Sequence, residues 1–203
     1  MRQPLTAILL ISLTCCNARN NLRKELIMTD ITGATADTMN NFIGLSAVLT
    51  GFATSIIAPT LDPVDIKSEY LPVFTQKITE ESKDPTLVTT ILQKYAALKA
   101  QQLSDQQIGT QMLAPDNGTN FVLACRKLIF MWYSGAWPTI IPATDKDPET
   151  TVSDMISAKS YTTGLVWQVM QAHPMGDSNY RYGYWAKPPA ALSAYTGHQG
   201  GAV

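Results

Sequence analysis

FVLACRKLIFMWYSGAW, residues 121–137, is apolar nearly all the way round a helical wheel. Phe121, Val122, Leu123, Leu128, Ile129, Phe130, Met131, Trp132 and Tyr133 leave no polar stripe, and Arg126 and Lys127 are the only charges. A surface helix keeps one face toward water, so a helix of this kind is either the centre of a domain or an interface with another chain. Pro115-Asp116-Asn117-Gly118 marks a strong turn before it. Ser134-Gly135 ends it, and Pro138 and Pro142 forbid its continuation.

Upstream of this stretch the periodicity is helical. Phe42, Leu45, Val48 and Leu49 recur at three- and four-residue spacing and predict a helix over about 39–52, capped by Asp37 or Thr38. Pro59 and Pro63 mark a turn. A second helix is expected from Pro63 or Val64 to about Ser82 on the stripe Ile66, Tyr70, Val73, Phe74 and Ile78, with Pro72 predicting a kink or restart. Asp84 caps a third, through Gln101, and Ser104-Asp105 opens a short fourth to about Leu113.

Downstream, residues 139–151 are rich in Pro, Asp and Thr and read as a loop, and residues 153–161 are at most weakly helical. An apolar run then carries Leu165, Val166, Trp167, Val169 and Met170, followed by the aromatic-glycine patch Tyr180, Tyr182, Gly183, Tyr184 and Trp185. So many aromatics need something to bury them, either the rest of this chain or another. The expected fold is all-α: one irregular helical domain over 38–192 with a long aromatic-rich C-terminal loop segment. A lead-in over 1–37 precedes it, and a glycine-bearing, frayed tail over 193–203 comes after it.

At 203 residues the chain is long enough for one domain with a sizeable core. Its net charge of −1 and scattered basic residues give no nucleic-acid footprint. Charged residues make up 15 % of the chain, below the roughly 25 % usual for soluble domains. That shortfall points to a surface partly covered by a partner. No run of about 18 apolar residues follows the N-terminus, so no transmembrane helix is expected. Arg2, the apolar segment Leu5 to Leu13 and Cys15-Cys16 outline a short secretory signal, with lipid attachment at Cys16 as a variant; alternatively, the chain starts at Met28. With that segment set aside, Cys125 stands alone in a helical pattern and reads as a small buried hydrophobe.

The chemistry-bearing motifs searched for are missing: no GxGxxG after a strand, no P-loop, HExxH, GxSxG or CxxCH, and no metal-ligand spacing. His173 precedes Pro174, where a helix stops; it reads as a C-terminal cap, an interface histidine or a proton-transfer group. Arg181, among tyrosines, either stacks on rings, pairs with a carboxylate across an interface, or is a solvated loop charge. Trp132, Trp137, Trp167 and Trp185 read as core or interface anchors.

Two blocks, FVLACRKLIFMWYSGAW and SYTTGLVWQVMQAHPMGDSNYRYGYWAKPP (160–189), resemble the small subunits of bacterial membrane-bound FAD-dependent sugar and polyol dehydrogenases, the group serving sorbitol, fructose and glucose oxidation. Trp132-Tyr133-Ser134-Gly135 matches the family's WYxG pattern, and Tyr161, Trp167, Tyr184-Trp185 and Pro189 its closing pattern. FIGLSAVLTGF (42–52) resembles its early segment. The resemblance implies a helical, non-catalytic subunit that binds a large flavoprotein subunit carrying FAD and assists its maturation, FAD incorporation and export. A multi-haem cytochrome c subunit with haem c then takes the electrons and ties the complex to the periplasmic face of the inner membrane. The family's twin-arginine export signal is missing from this sequence. On this reading no catalytic, metal-binding or cofactor-binding residue lies in the chain itself. The expected partner interface is Trp132, Tyr133, Trp137, Tyr161, Trp167, His173, Tyr180, Arg181, Tyr184 and Trp185. The alternative is a stand-alone periplasmic helical ligand-binding protein or lipoprotein with a pocket among Trp132, Trp167 and Trp185.

Overall fold

The structure, a computed structural model, describes residues 35–144, 147–174 and 191–198. The N-terminal signal or extension and the patch containing Tyr180, Arg181, Tyr184 and Trp185 lie outside the described residues. Residues 35–50 are helical (α1). The chain divides into two compact units after residue 40, and residues 41–50 of α1 belong to the second unit together with every later element. The helix is already formed at residues 37 and 38, so neither Asp37 nor Thr38 is its cap.

After a short helix, α2 (Thr54–Ile57), α3 spans Ile66–Ser82. It starts later than expected because Asp62 and Asp65 organise a turn. Asp62 Oδ1 accepts the Asp65 N–H at 2.8 Å, and the Lys67 ammonium bridges both carboxylates at 2.7 Å each. α3 runs through Pro72 without restarting, since Pro72 and Ser68 are both exposed and water can satisfy the carbonyl that proline leaves without a donor. Asp84 Oδ1 accepts the N–H and hydroxyl of Thr86, which turns the chain into α4 (Leu87–Ala100). The helix expected to open at Ser104-Asp105 does so with a capping box: Ser104 and Gln107 satisfy each other's backbone N–H at the start of α5 (Asp105–Met112). A 3-10 turn, Pro115–Asn117, comes next, and the Asn117 side-chain amide donates to the carbonyls of Gln111 and Met112 at the end of α5.

The apolar stretch forms α6 (Thr119–Ser134), and it is central. Phe121, Ala124, Cys125, Leu128, Met131 and Trp132 are all buried. Phe42 and Tyr70 pack against Trp132, with ring centroids 6.4 and 4.8 Å away, and Phe74 bridges Phe42 to Trp137. α3, α4 and α5 pack successively, and α3 also meets α6.

The fold is mostly helical, with 64 % of the described residues in helices, but it is not purely so. Residues expected as loop and weak helix form an antiparallel hairpin, β1 (Ala136–Ile141) with β2 (Thr150–Met155), in register from Ala136↔Met155 to Ile141↔Thr150. Thr139-Ile140-Ile141 and Thr150-Thr151-Val152 are β-branched runs either side of a Pro/Asp loop. That is a hairpin pattern which the prolines disguised. Pro138 is tolerated because a two-stranded sheet consists of edges. Beyond it lie α7 (Ala158–Thr163) and α8 (Leu165–Val169). Residues 193–198, assigned from sequence to a frayed tail, include most of α9 (Leu192–Thr196) and return to the α1–α2 turn. There the Ala53 N–H donates to the Thr196 carbonyl at 2.8 Å, and His198 Nε2 lies 3.0 Å from the Gly51 carbonyl.

Candidate functional site

Two glycines set the geometry at the end of α6. Gly135 adopts φ 72°, and a Cβ there would lie 2.2 Å from the Ser160 carbonyl oxygen. Only glycine tolerates both demands. The gap closes around Ser160, whose hydroxyl donates to the Gly135 carbonyl at 2.6 Å while Ser157 and Ser160 cap α7 reciprocally. Gly164, between α7 and α8, approaches the Tyr133 carbonyl in the same way. The hairpin and the α7–α8 segment are therefore both held against the end of α6.

This arrangement sorts the expected interface residues. Trp132 and Trp137 are core side chains, each 3 % exposed. The Trp132 indole N–H donates to the Ser46 hydroxyl at 2.8 Å, and that of Trp137 to Glu81 Oε1 at 2.9 Å. Tyr133 is half-buried, its hydroxyl donating to the Thr50 carbonyl at 2.9 Å and its ring edge-on to Phe52. Tyr161 and Trp167 are also half-buried and form an edge-to-face pair with centroids 5.3 Å apart; the Trp167 N–H donates to the Tyr161 carbonyl at 2.7 Å. His173 lies beyond the last turn of α8, which ends at Val169 because Gln171 turns left-handed. Its Nδ1 is 2.9 Å from the Pro174 carbonyl, so Nδ1 carries the proton and donates.

Sequence reasoning missed a charged cluster beside Trp137. Lys127 is 5 % exposed, its ammonium 2.6 Å from Glu81 Oε2 and 5.3 Å from the centre of the Trp137 ring. Glu81 thus serves Lys127 and Trp137 together and ties α3 to α6 and β1. The signal was present: a lysine on an otherwise apolar helix needs a partner when buried. Cys125 is fully buried, and burial pushes its thiol up to about 12, so it stays a protonated core group.

Two surface features remain. The outer half of the hairpin is exposed on both faces; Ile140, Ile141 and Val152, and Met155 at its base, each show at least 40 % of their surface. The second is a cleft of about 280 Å³ between α2, the start of α3, Trp132 of α6 and the α7–α8 segment. Among the described residues no His/Cys/Asp/Glu group could hold a metal ion, and no helix is long and apolar enough to cross a membrane. Comparison of the chain with protein-family models, curated proteins and solved structures finds no match.

Proposed function

We propose that the chain is the non-catalytic small subunit of a membrane-bound FAD-dependent sugar or polyol dehydrogenase. In this reading it binds the flavoprotein large subunit and supports its maturation, FAD incorporation and export. A multi-haem cytochrome c receives the electrons at the periplasmic face of the inner membrane. The observation that carries the reading is the hairpin. A two-stranded sheet alone in water is marginally stable, and this one presents apolar side chains on both faces and, among the described residues, no third strand on either edge. Such an element gains from a partner that covers it. The low charged fraction and the two blocks of family resemblance support the same reading.

The cleft beside Trp132 and Trp167 is too small for FAD. Its volume of about 280 Å³ falls below the roughly 300–1,000 Å³ of pockets that enclose drug-sized ligands, and FAD is larger than those ligands. In this reading flavin chemistry belongs to the large subunit, and this chain contributes docking surface.

The test is co-expression with the flavoprotein subunit. Replacing Tyr184→Ala together with Trp185→Ala is expected to lower FAD occupancy of the large subunit severalfold. Unchanged flavin content and unchanged polyol oxidation in that double variant would defeat the role assigned to the C-terminal aromatics.

A further inference from the structure

The cleft beside Trp132 and Trp167 has a built interior. Its apolar walls include Ile57, Val64 and Leu165 together with the two indoles. Both indole N–H groups are already satisfied within the protein, by Ser46 and by the Tyr161 carbonyl. The rings therefore offer carbon surface and no free donor. Tyr70, edge-on to Trp132, and Tyr161, edge-on to Trp167, hold the two indoles from behind. A volume of about 280 Å³ is roughly twice that of an engineered apolar cavity of about 150 Å³ that takes up benzene, so one substituted ring fits.

The polar part of the lining is biased toward acceptors. Asp62 contributes a carboxylate whose oxygens each receive one bond, from Lys67 and from the Asp65 N–H, and retain further acceptor capacity. Lys67 holds the Asp62 carboxyl below the usual range, so it is ionised at neutral pH. The hydroxyls of Thr162 and Thr163 both donate to the Lys159 carbonyl, at 3.1 and 2.8 Å, which leaves the Thr162 oxygen to accept, while Thr163 also bonds the buried Tyr70 hydroxyl. Gln168 supplies a mixed amide. Asp62 and Asp65 share the ammonium of Lys67, and with Lys159 set against Glu69 at 4.0 Å the neighbourhood keeps an excess of negative charge.

We propose that this cleft is a binding site for a small ring-bearing molecule that carries a hydroxyl donor and no negative charge. The ring lies among the indoles and aliphatic walls, and the hydroxyl donates to the acceptors around Asp62. An anionic ligand of the same size is rejected because it would bring a second charge beside an ionised carboxylate. The site is separate from the hairpin, so its failure leaves the subunit reading standing, and failure of the subunit reading leaves this site untouched.

The experiment titrates the full chain with p-cresol, toluene and 4-methylbenzoate, which share a ring and differ in one substituent, by ligand-observed NMR. p-Cresol is expected to bind with a Kd on the order of millimolar or tighter, the range for so few atoms. It should bind at least about tenfold tighter than 4-methylbenzoate and measurably tighter than toluene. Val64→Phe, and independently Thr162→Phe, should each weaken p-cresol binding by about tenfold while helical circular dichroism is retained. Asp62→Asn should bring p-cresol and 4-methylbenzoate to within about threefold of each other. The proposal is overturned if p-cresol does not bind, if 4-methylbenzoate binds equally well to the unaltered chain, or if both folded phenylalanine variants bind p-cresol normally.

Discussion

At the scale of single residues, Lys127 and Glu81 show how one polar contact is kept inside an apolar helix bundle. The ammonium is nearly enclosed, whereas the carboxylate side chain keeps 37 % of its surface exposed. Removing the carboxylate leaves the ammonium without its closest partner, and the indole N–H of Trp137 without its acceptor. Glu81→Ala is therefore expected to cost about 2 kcal/mol, less than a fully buried pair because Glu81 remains in contact with water. Combining it with Lys127→Met should recover most of that loss, since no unpaired charge then remains. Urea unfolding followed by tryptophan fluorescence measures both; a single Glu81→Ala variant as stable as the original would contradict this role. Gly135 and Gly164 make the complementary point, since they matter for the atoms they lack. The sequence identified Gly135 as a helix end, but its close approach to Ser160, 25 residues away, is set by tertiary packing and could not be read from local pattern.

At the scale of elements, the longer helices α1, α3, α4 and α6 were legible because their apolar character follows a helical period, whereas the short α2 and α9 were not. Ile66, Tyr70, Phe74 and Ile78, the buried residues of α3, were in the predicted stripe, while its fifth member, Val73, is only partly buried. The start of α3 was less legible, because it depends on Asp62, Asp65 and Lys67 meeting in space. The hairpin was missed outright: six-residue strands give a weak period-2 signal, and Pro138 and Pro142 outweighed the β-branched runs around them. The docking set was only partly legible. Composition marked Trp132 and Trp137 as anchors but could not separate core from surface, and packing places both in the core. On the hairpin, Ile140→Lys with Val152→Lys should change folding stability by less than about 1 kcal/mol, because both positions are exposed. The same pair should reduce recovery of the flavoprotein subunit in co-purification at least severalfold. Full recovery with an unchanged complex would remove the hairpin from the interface.

At the scale of the whole molecule, stability depends on pH through a few carboxylates that fold into favourable contacts. Lys67 holds Asp62 and Asp65 below their ordinary value of 3.8, and the Thr86 hydroxyl and N–H do the same for Asp84. Depressed carboxylates contribute stability above the unfolded value, and that contribution is lost as the pH falls through their lower folded values. On the alkaline side, Lys67 is raised by Asp62 and Asp65, and Tyr70 by its burial, so their contributions persist to pH 10 and fade above it. The urea midpoint should therefore be nearly flat from pH 5 to 9 and decline below about pH 4. Asp62→Asn with Asp84→Asn should make the acid decline shallower. An equally steep decline in that variant would assign the acid sensitivity to other groups.

The most direct measurement of the central claim is the mass and visible spectrum of the complex formed when this chain is co-expressed with the flavoprotein subunit of a sugar or polyol dehydrogenase. The account predicts a stable one-to-one particle with FAD in the large subunit and dye-linked polyol oxidation, while this chain purified alone is colourless and inactive. A chain that runs as a monomer beside an already FAD-loaded, fully active flavoprotein, or that is itself yellow and oxidises polyols unaided, would contradict it.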